Sequence, residues 1–393
     1  MSAPLGSILA IFTNLAQSGT SRSFALSMPA KSLCWLVPAN YNKIACFRSA
    51  KGPWWPAINE DRMRKMAWWL AAASTCIGVC DLSDRTMAQA GTVQASAPGT
   101  VIITLGTRGG PLPTKDRAQS SNLLVVNGAL YLIDAGDGVT RRVVEAGYDF
   151  LRVDKIFITH PHSDHTNGLA TLLASEWEYQ RRDPIDIYGG GVESLVNGAI
   201  DYLTPNAEIR WAEGKKTPMT DIFHGHNVVP GLVYQDANVK VTAVENTHFH
   251  FPQGSPPYGK YRSYSYRFET PTRIVVFTGD TGPSDAVTNL ASGADVLVTE
   301  VGLPDDVINL FKRNGIWQSK TPSEQEGFIR HMEEEHVTPE AVGKMAAKAG
   351  VKTVVLTHLG PTVDPQDDYQ RYLDSARKFF SGPIVLAKDL MRF

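Results

Sequence analysis

Ile158-Thr159-His160-Pro161-His162-Ser163-Asp164-His165-Thr166-Asn167-Gly168 is the stretch from which the rest of the chain is read. Four side chains able to ligate a metal, His160, His162, Asp164 and His165, fall within six residues. Imidazole nitrogen and carboxylate oxygen together suit zinc and its neighbours. Closed structural zinc sites usually recruit cysteine, and the chain has none after Cys80, so the run points to a catalytic centre. The density of ligands suggests two ions. His160 and His162 follow the apolar run Ile156-Phe157-Ile158 on alternate residues and can leave a strand end toward one metal, while Asp164 and His165 reach a second. A polar turn with chance histidines is the bland alternative, but a His-x-His-x-Asp-His run is far more specific than a lone histidine.

Outward from this run, strand and helix alternate, which argues for an α/β layered core. Residues 101–105 read as an opening strand, closed by the turn Gly106-Thr107-Arg108-Gly109-Gly110-Pro111. This turn lacks the lysine and the helix of a phosphate loop and is a weak anion cradle. Residues 122–126 and 129–133 form two strands joined at Asn127-Gly128, a favoured hairpin turn. Helices are expected over 139–146, 169–179 and 192–203, and strands over 184–188, 239–243, 273–278, 294–299, 352–356 and 383–387. Ser284 caps one later helix, and Thr338-Pro339 starts another that Gly350 ends. Residues 252–266, rich in Gly, Pro and Tyr, form a loop placed to cover the metal run, with Lys260, Arg262 and Arg267 as ordinary solvated charges or substrate contacts. The mainly helical excursion from Val301 to His336, which holds Phe311, Trp317 and Glu333-Glu334-Glu335, has the place of a lid.

The chain has 393 residues and a net charge of −2, so no basic face advertises nucleic acid. Residues 1–62 show no sustained period and read as a non-native or disordered extension. Met63-Arg64-Lys65, a short apolar run to Val79 and Ala88-Gln89-Ala90 have the order of a signal peptide over 63–90, with cleavage after Ala90. A buried core helix is the alternative for the apolar run, which is short for a membrane span. The hydrolase domain is then 91–393, exported to the periplasm or beyond. All four cysteines precede it, so it needs no disulfides.

The metal run resembles the signature of the metallo-β-lactamase superfamily of metallohydrolases, and the resemblance extends over nearly all of residues 100–393. It implies an α/β fold, the four-layer αββα sandwich. It implies three further ligands at later strand ends. One is His248 or His250 in Asn246-Thr247-His248-Phe249-His250, the family spacing favouring His248. The others are Asp280 of Gly279-Asp280-Thr281, bridging both metals, and His358. Asp134 of Asp134-Ala135-Gly136-Asp137-Gly138 resembles the aspartate that buttresses the site without binding metal. A helix cap is an equal and compatible role for it. Thr114-Lys115-Asp116-Arg117, with Leu105-Gly106-Thr107, the Asp134 motif and His336-Val337-Thr338, resembles the branch that holds ribonuclease Z and the zinc arylsulfatases. There a glutamate and a histidine donate the proton, corresponding to Glu300 and His336, although Thr299 stands where that glutamate motif begins with histidine.

The implied set is His160, His162 and His248 on one ion, Asp164, His165 and His358 on the other, and Asp280 between them. The ions are divalent, zinc first among candidates. A hydroxide shared by two dications is a nucleophile near neutral pH, so hydrolysis is expected, with Asp164, Glu300 and His336 as the catalytic set. Export, a neutral surface and an aromatic cover favour a small-molecule ester substrate, an aryl or alkyl sulfate or phosphate. On this reading no nucleic acid and no stable membrane insertion are expected, and a homodimer is compatible with the sequence. Ribonuclease Z activity on tRNA 3′ ends is the alternative, disfavoured because residues 192–236 hold no basic arm. A lactonase or amide hydrolase would use the same metals.

Overall fold

Alternation along the strands sets the layers. In β1 (Thr100–Gly106) Ile102 turns to one side, and Ile103 and Leu105 to the other. In β2 (Ser121–Val126) Leu124 and Val126 join Ile102, while Leu123 and Val125 join Ile103. Both faces of these strands are apolar because both are covered, the pattern of a sheet buried between layers. The computed structural model describes residues 99–179, 183–215, 217–360 and 369–393, together with the backbone of Ser32–Trp35 and Ala45–Arg48, which pair antiparallel. The signal peptide and its cleavage site, expected over 63–90, lie outside the described residues.

Among the described residues β1 and β2 continue through β3 (Ala129–Ile133), β4 (Val153–Phe157), β5 (Ile185–Gly189) and β6 (Phe223–Asn227). The second sheet holds β7 (Gly231–Gln235), β8 (Lys240–Glu245), β9 (Tyr264–Glu269), β10 (Ile274–Phe277), β11 (Val296–Val301), β12 (Thr353–Leu359) and β13 (Ile384–Leu386). The chain then returns to the first sheet as β14 (Met391–Arg392), giving the orders β14-β1-β2-β3-β4-β5-β6 and β13-β12-β11-β10-β9-β8-β7. Each sheet is antiparallel through β1–β3 or β7–β10 and parallel through β3–β6 or β10–β13. The sheets pack face to face on a layer that includes Ile102, Leu124, Tyr266, Val275 and Val355.

Helices α1 (Val139–Glu145), α3 (Leu169–Glu178) and α4 (Val192–Ala212) cover the outer face of the first sheet. On the second sheet the cover is α5 (Asp285–Leu290), α8 (Pro339–Ala349) and α9 (Gln370–Arg377). This is the αββα sandwich expected from the sequence. The short α2 (Ser163–Thr166) carries the metal run, and α6 (Pro304–Arg313) and α7 (Pro322–Glu334) form the excursion before His336.

Two local expectations fail for physical reasons. The helix expected to end at Leu203 continues through Pro205 to Ala212. Proline removes one N–H, but Asn206 and Arg210 both donate to Glu178 of α3, at 2.8 and 2.9 Å, and hold the distal half in place. Strands β6 and β7 were not foreseen, because Phe223-His224-Gly225-His226-Asn227 lacks an apolar alternation. They form at sheet edges, where one face is open.

Phe157, the last residue of β4, is fully buried between the sheets. Its ring stacks on Tyr188 at 5.2 Å and meets Phe268 edge-on at 5.1 Å. One residue later the chain turns into the metal run, so this aromatic cluster fixes where the run begins. Phe157→Ala is expected to cost about 3–5 kcal/mol in a denaturant titration, the range for removing a buried aromatic ring. A loss under about 1 kcal/mol would mean the cluster does not carry the inter-sheet packing.

Candidate metal centre

Parallel strands deliver side chains beyond their carboxyl ends, and β4, β10, β11 and β12 all do so at one rim. After β4 come His160, His162, Asp164 and His165; after β10, Asp280. β11 carries Glu300 and β12 carries His358. His248 follows β8. Two groups of donors that share no residue form, His160, His162 and His248 in one and Asp164, His165, Asp280 and His358 in the other, and His336 makes a third, overlapping group with His248 and Asp280.

In the first group, His162 Nδ1 lies 3.0 Å from both His160 Nε2 and His248 Nε2. The far sides of two of these rings are fixed. His248 Nδ1 donates to the Glu335 carbonyl at 2.9 Å, and His160 Nδ1 lies 3.1 Å from the Thr159 hydroxyl. The sequence left His248 and His250 as alternatives. His248 is fully buried in the group, whereas His250 is exposed and faces the Glu335 carboxylate at 3.5 Å.

In the second group, His358 Nε2 lies 3.1 Å from Asp164 Oδ2 and 3.2 Å from Asp280 Oδ2. His165 Nε2 lies 3.3 Å from Asp280 Oδ1. Asp280 also comes within 3.9 Å of His160 Nε2, so its carboxylate stands between the two groups. Gly279 makes this approach possible: its φ is +58°, and a Cβ there would sit 2.6 Å from the Thr159 Cβ.

Asp134 supports the run from behind. Its backbone is left-handed, with φ 62°, and its carboxylate accepts from Thr159 N at 2.8 Å, from the Thr159 hydroxyl and from His165 Nδ1 at 2.9 Å. Fixing Nδ1 as the donor turns Nε2 of His165 toward the group. The glycine-rich turn also has a supporting part. Gly110 N donates to Asp164 Oδ2 at 2.9 Å, and a Cβ on Gly109 would sit 2.7 Å from His358 Nδ1. Asp389 in turn accepts from Thr107 N and Ala118 N, at 3.0 and 2.7 Å. The turn acts on a carboxylate that the protein itself supplies.

The donors fit a divalent metal. His165 Nε2 and Asp280 Oδ1 are buried and have no hydrogen-bond partner, although a buried carboxylate oxygen is costly to leave unpaired. Both are turned into the donor group, where a cation would complete them.

Beside the donors, His336 Nδ1 lies 2.7 Å from Glu300 Oε2, and Glu300 Oε1 accepts from Thr281 N at 2.6 Å. Burial pushes the Glu300 carboxyl up, with His336 partly offsetting it. Burial alone would lower His336, but the carboxylates of Glu300, Asp280 and Glu335 outweigh it and hold the ring at about 9. The sequence reading missed His331, whose Nε2 lies 3.3 Å from His336 Nε2 and whose Nδ1 bonds Glu335 at 2.6 Å. Its signal was the His331–Glu335 spacing of four on an expected helix. Arg108, His162, Asp164, Asp280, Glu300 and His336 all border one cavity of about 490 Å³. The loop over 252–266 supplies no described lining residue. Arg262 pairs with Glu245, and Arg267 bonds the Leu290 and Ser292 carbonyls.

Fold and donor set together define a divalent-metal-dependent hydrolase. The chain belongs to the β-lactamase superfamily, whose domain model matches residues 130–359. Ribonuclease Z of Methanosarcina mazei is 28% identical over 320 residues, covering 74% of this chain and 96% of that protein. Ribonuclease Z of Mycobacterium bovis is 28% identical over 296 residues, with the same coverages of 74% and 96%. Among solved structures, the metallo-β-lactamase fold protein YhfI of Bacillus subtilis superposes with a TM-score of 0.54 at 18% identity, covering 75% of this chain and 98% of that one. The short form of human tRNase Z gives 0.50 at 23% identity, with coverages of 75% and 98%, and shares the fold.

These relatives correct two expectations. The hydrolase of small sulfate or phosphate esters gives way to a ribonuclease Z-like chain, and the exclusion of nucleic acid as a partner falls with it. A ligand set does not encode the bond that is cleaved, and a charge count over residues 192–236 does not survey the rest of the surface.

Asp134→Ala should weaken metal affinity roughly 10- to 100-fold, the usual effect of removing a group that orients a ligand. Titration of the chelator-stripped protein with Zn²⁺ measures it. Unchanged affinity would assign Asp134 to the backbone turn alone.

Proposed function

We propose that this chain is an RNA phosphodiesterase of the ribonuclease Z type, cutting at the 3′ extension of a precursor tRNA. Relatives of that name align over nearly their whole length. The observation that carries the reading in the structure is the Glu300–His336 pair at 2.7 Å, which borders the same cavity as the ligands. His160, His162 and His248 would hold one divalent ion, Asp164, His165 and His358 a second, and Asp280 would serve both; zinc suits the set. When bound, the metals supply Lewis acidity at the phosphoryl oxygens and an activated water.

The remaining work falls to side chains. A departing ribose oxygen is a poor leaving group and needs a proton as the bond breaks. His336, raised to about 9, carries that proton at neutral pH, and Glu300 keeps the ring aimed and charged. Glu300 is itself anchored by Thr281 N, so the ring cannot swing freely. An RNA bearing a 3′ trailer should be cut once by the metal-loaded protein and not after chelation. Intact RNA under both conditions would refute the proposal.

His336→Ala should slow RNA cleavage by roughly 10² to 10⁴ while leaving metal content unchanged. Bis(p-nitrophenyl) phosphate, which releases a stable phenolate, should lose less than about tenfold. With wild-type protein the RNA rate should fall on the alkaline side, where His336, whose proton Glu300 holds, gives it up. Equal losses on both substrates would assign His336 a structural role at the start of α8.

A further inference from the structure

The cavity over the metal centre has two unlike walls. One holds Arg108, the ligands and the Glu300–His336 pair. The other is apolar and comes from α6 and α7. On α6, Val307, Leu310 and Phe311 recur at helical spacing as one stripe, and they are half-buried against the cavity. Asp305, Asn309, Lys312 and Arg313 of that helix face solvent. Phe328 of α7 packs on Phe311 with ring centroids 4.8 Å apart, and Trp317 backs Phe328 edge-on at 6.1 Å. Ile316 completes the wall. An amphipathic stripe normally points into a packed core; this one points into open space beside the reacting groups.

The helix pair is anchored at its base. Asp306 is buried, accepts from the Tyr372 hydroxyl at 2.8 Å and pairs with Arg371. The Thr321–Glu324 capping box fixes the start of α7. The wall is therefore presented by a braced element.

We propose that this wall is a base-binding subsite, which takes one unpaired nucleobase next to the scissile phosphodiester. The inference rests on the diesterase reading above and deepens it. A molecule whose reacting group sits at the ligands sets its neighbouring part on this wall, because the two share one cavity of about 490 Å³. Of the parts of an RNA strand, sugar and phosphate are polar, and only the base offers a flat apolar face. Phe311 and Phe328 suit such a face, and unpaired bases are commonly held on aromatic side chains. A base still in a duplex has both faces and its pairing edge occupied, so the subsite selects unpaired nucleotides at the cut.

The test uses short RNA strands cut at one position, with an abasic residue on the 5′ or the 3′ side of the cut. With wild-type protein one of the two abasic strands should show KM raised roughly 5- to 150-fold, the range for one base–aromatic stack. In Phe311→Ala that abasic penalty should largely vanish, because the partner of the base is gone. 2-Aminopurine at the same position of a strand with an uncleavable linkage at the cut should be quenched on binding to the metal-loaded wild-type protein and not to the variant. Circular dichroism melts check that the variant is folded. Cutting of both abasic strands at the unmodified rate, or an undiminished penalty in the folded variant, would overturn the subsite. Failure to cut any strand would overturn the diesterase reading, and the subsite with it.

Discussion

Buried negative charge packed against buried histidine rings is the constraint on which the structure depends. Asp134, Asp164 and Asp280 are each almost wholly buried at the rim where the parallel strands end. Asp134 is satisfied by Thr159 and His165. Asp280 is not, since one of its oxygens has no partner and faces a ring nitrogen in the same condition. Burial of a carboxylate is costly, and His358 and His165 offset that cost at Asp280, holding its carboxyl well below the usual range. A divalent cation resolves both deficits at once, so metal binding and the stability of the rim are linked.

That constraint explains several features away from the ligands. Gly279 lies against Thr159 because the Asp280 carboxylate must reach between the two histidine groups. The turn after β1 is rich in glycine because its backbone touches Asp164 and His358 directly. The last strand returns to the first sheet, and Asp389 just before it braces that turn through Thr107 and Ala118.

Much of this was legible in the sequence where chemistry is local. The His-x-His-x-Asp-His run carried its ligands on its face, and apolar runs such as Val296-Leu297-Val298 marked strands covered on both sides. What was not legible depends on tertiary approach. His331 enters the site only because α7 brings it beside His336, and the His331–Glu335 spacing marks a helical pair without marking a site. The continuation of α4 beyond Pro205 depends on Glu178, which belongs to another helix. The small-ester expectation failed for a related reason: it leaned on an aromatic cover, and aromatic residues in the 301–336 excursion do not by themselves specify a substrate class.

The number of divalent ions held by the wild-type protein tests the central claim most directly. Elemental analysis of protein saturated with Zn²⁺ and freed of excess metal should return two equivalents per chain. A single equivalent at saturation would contradict the account, because one ion cannot satisfy both donor groups on either side of Asp280.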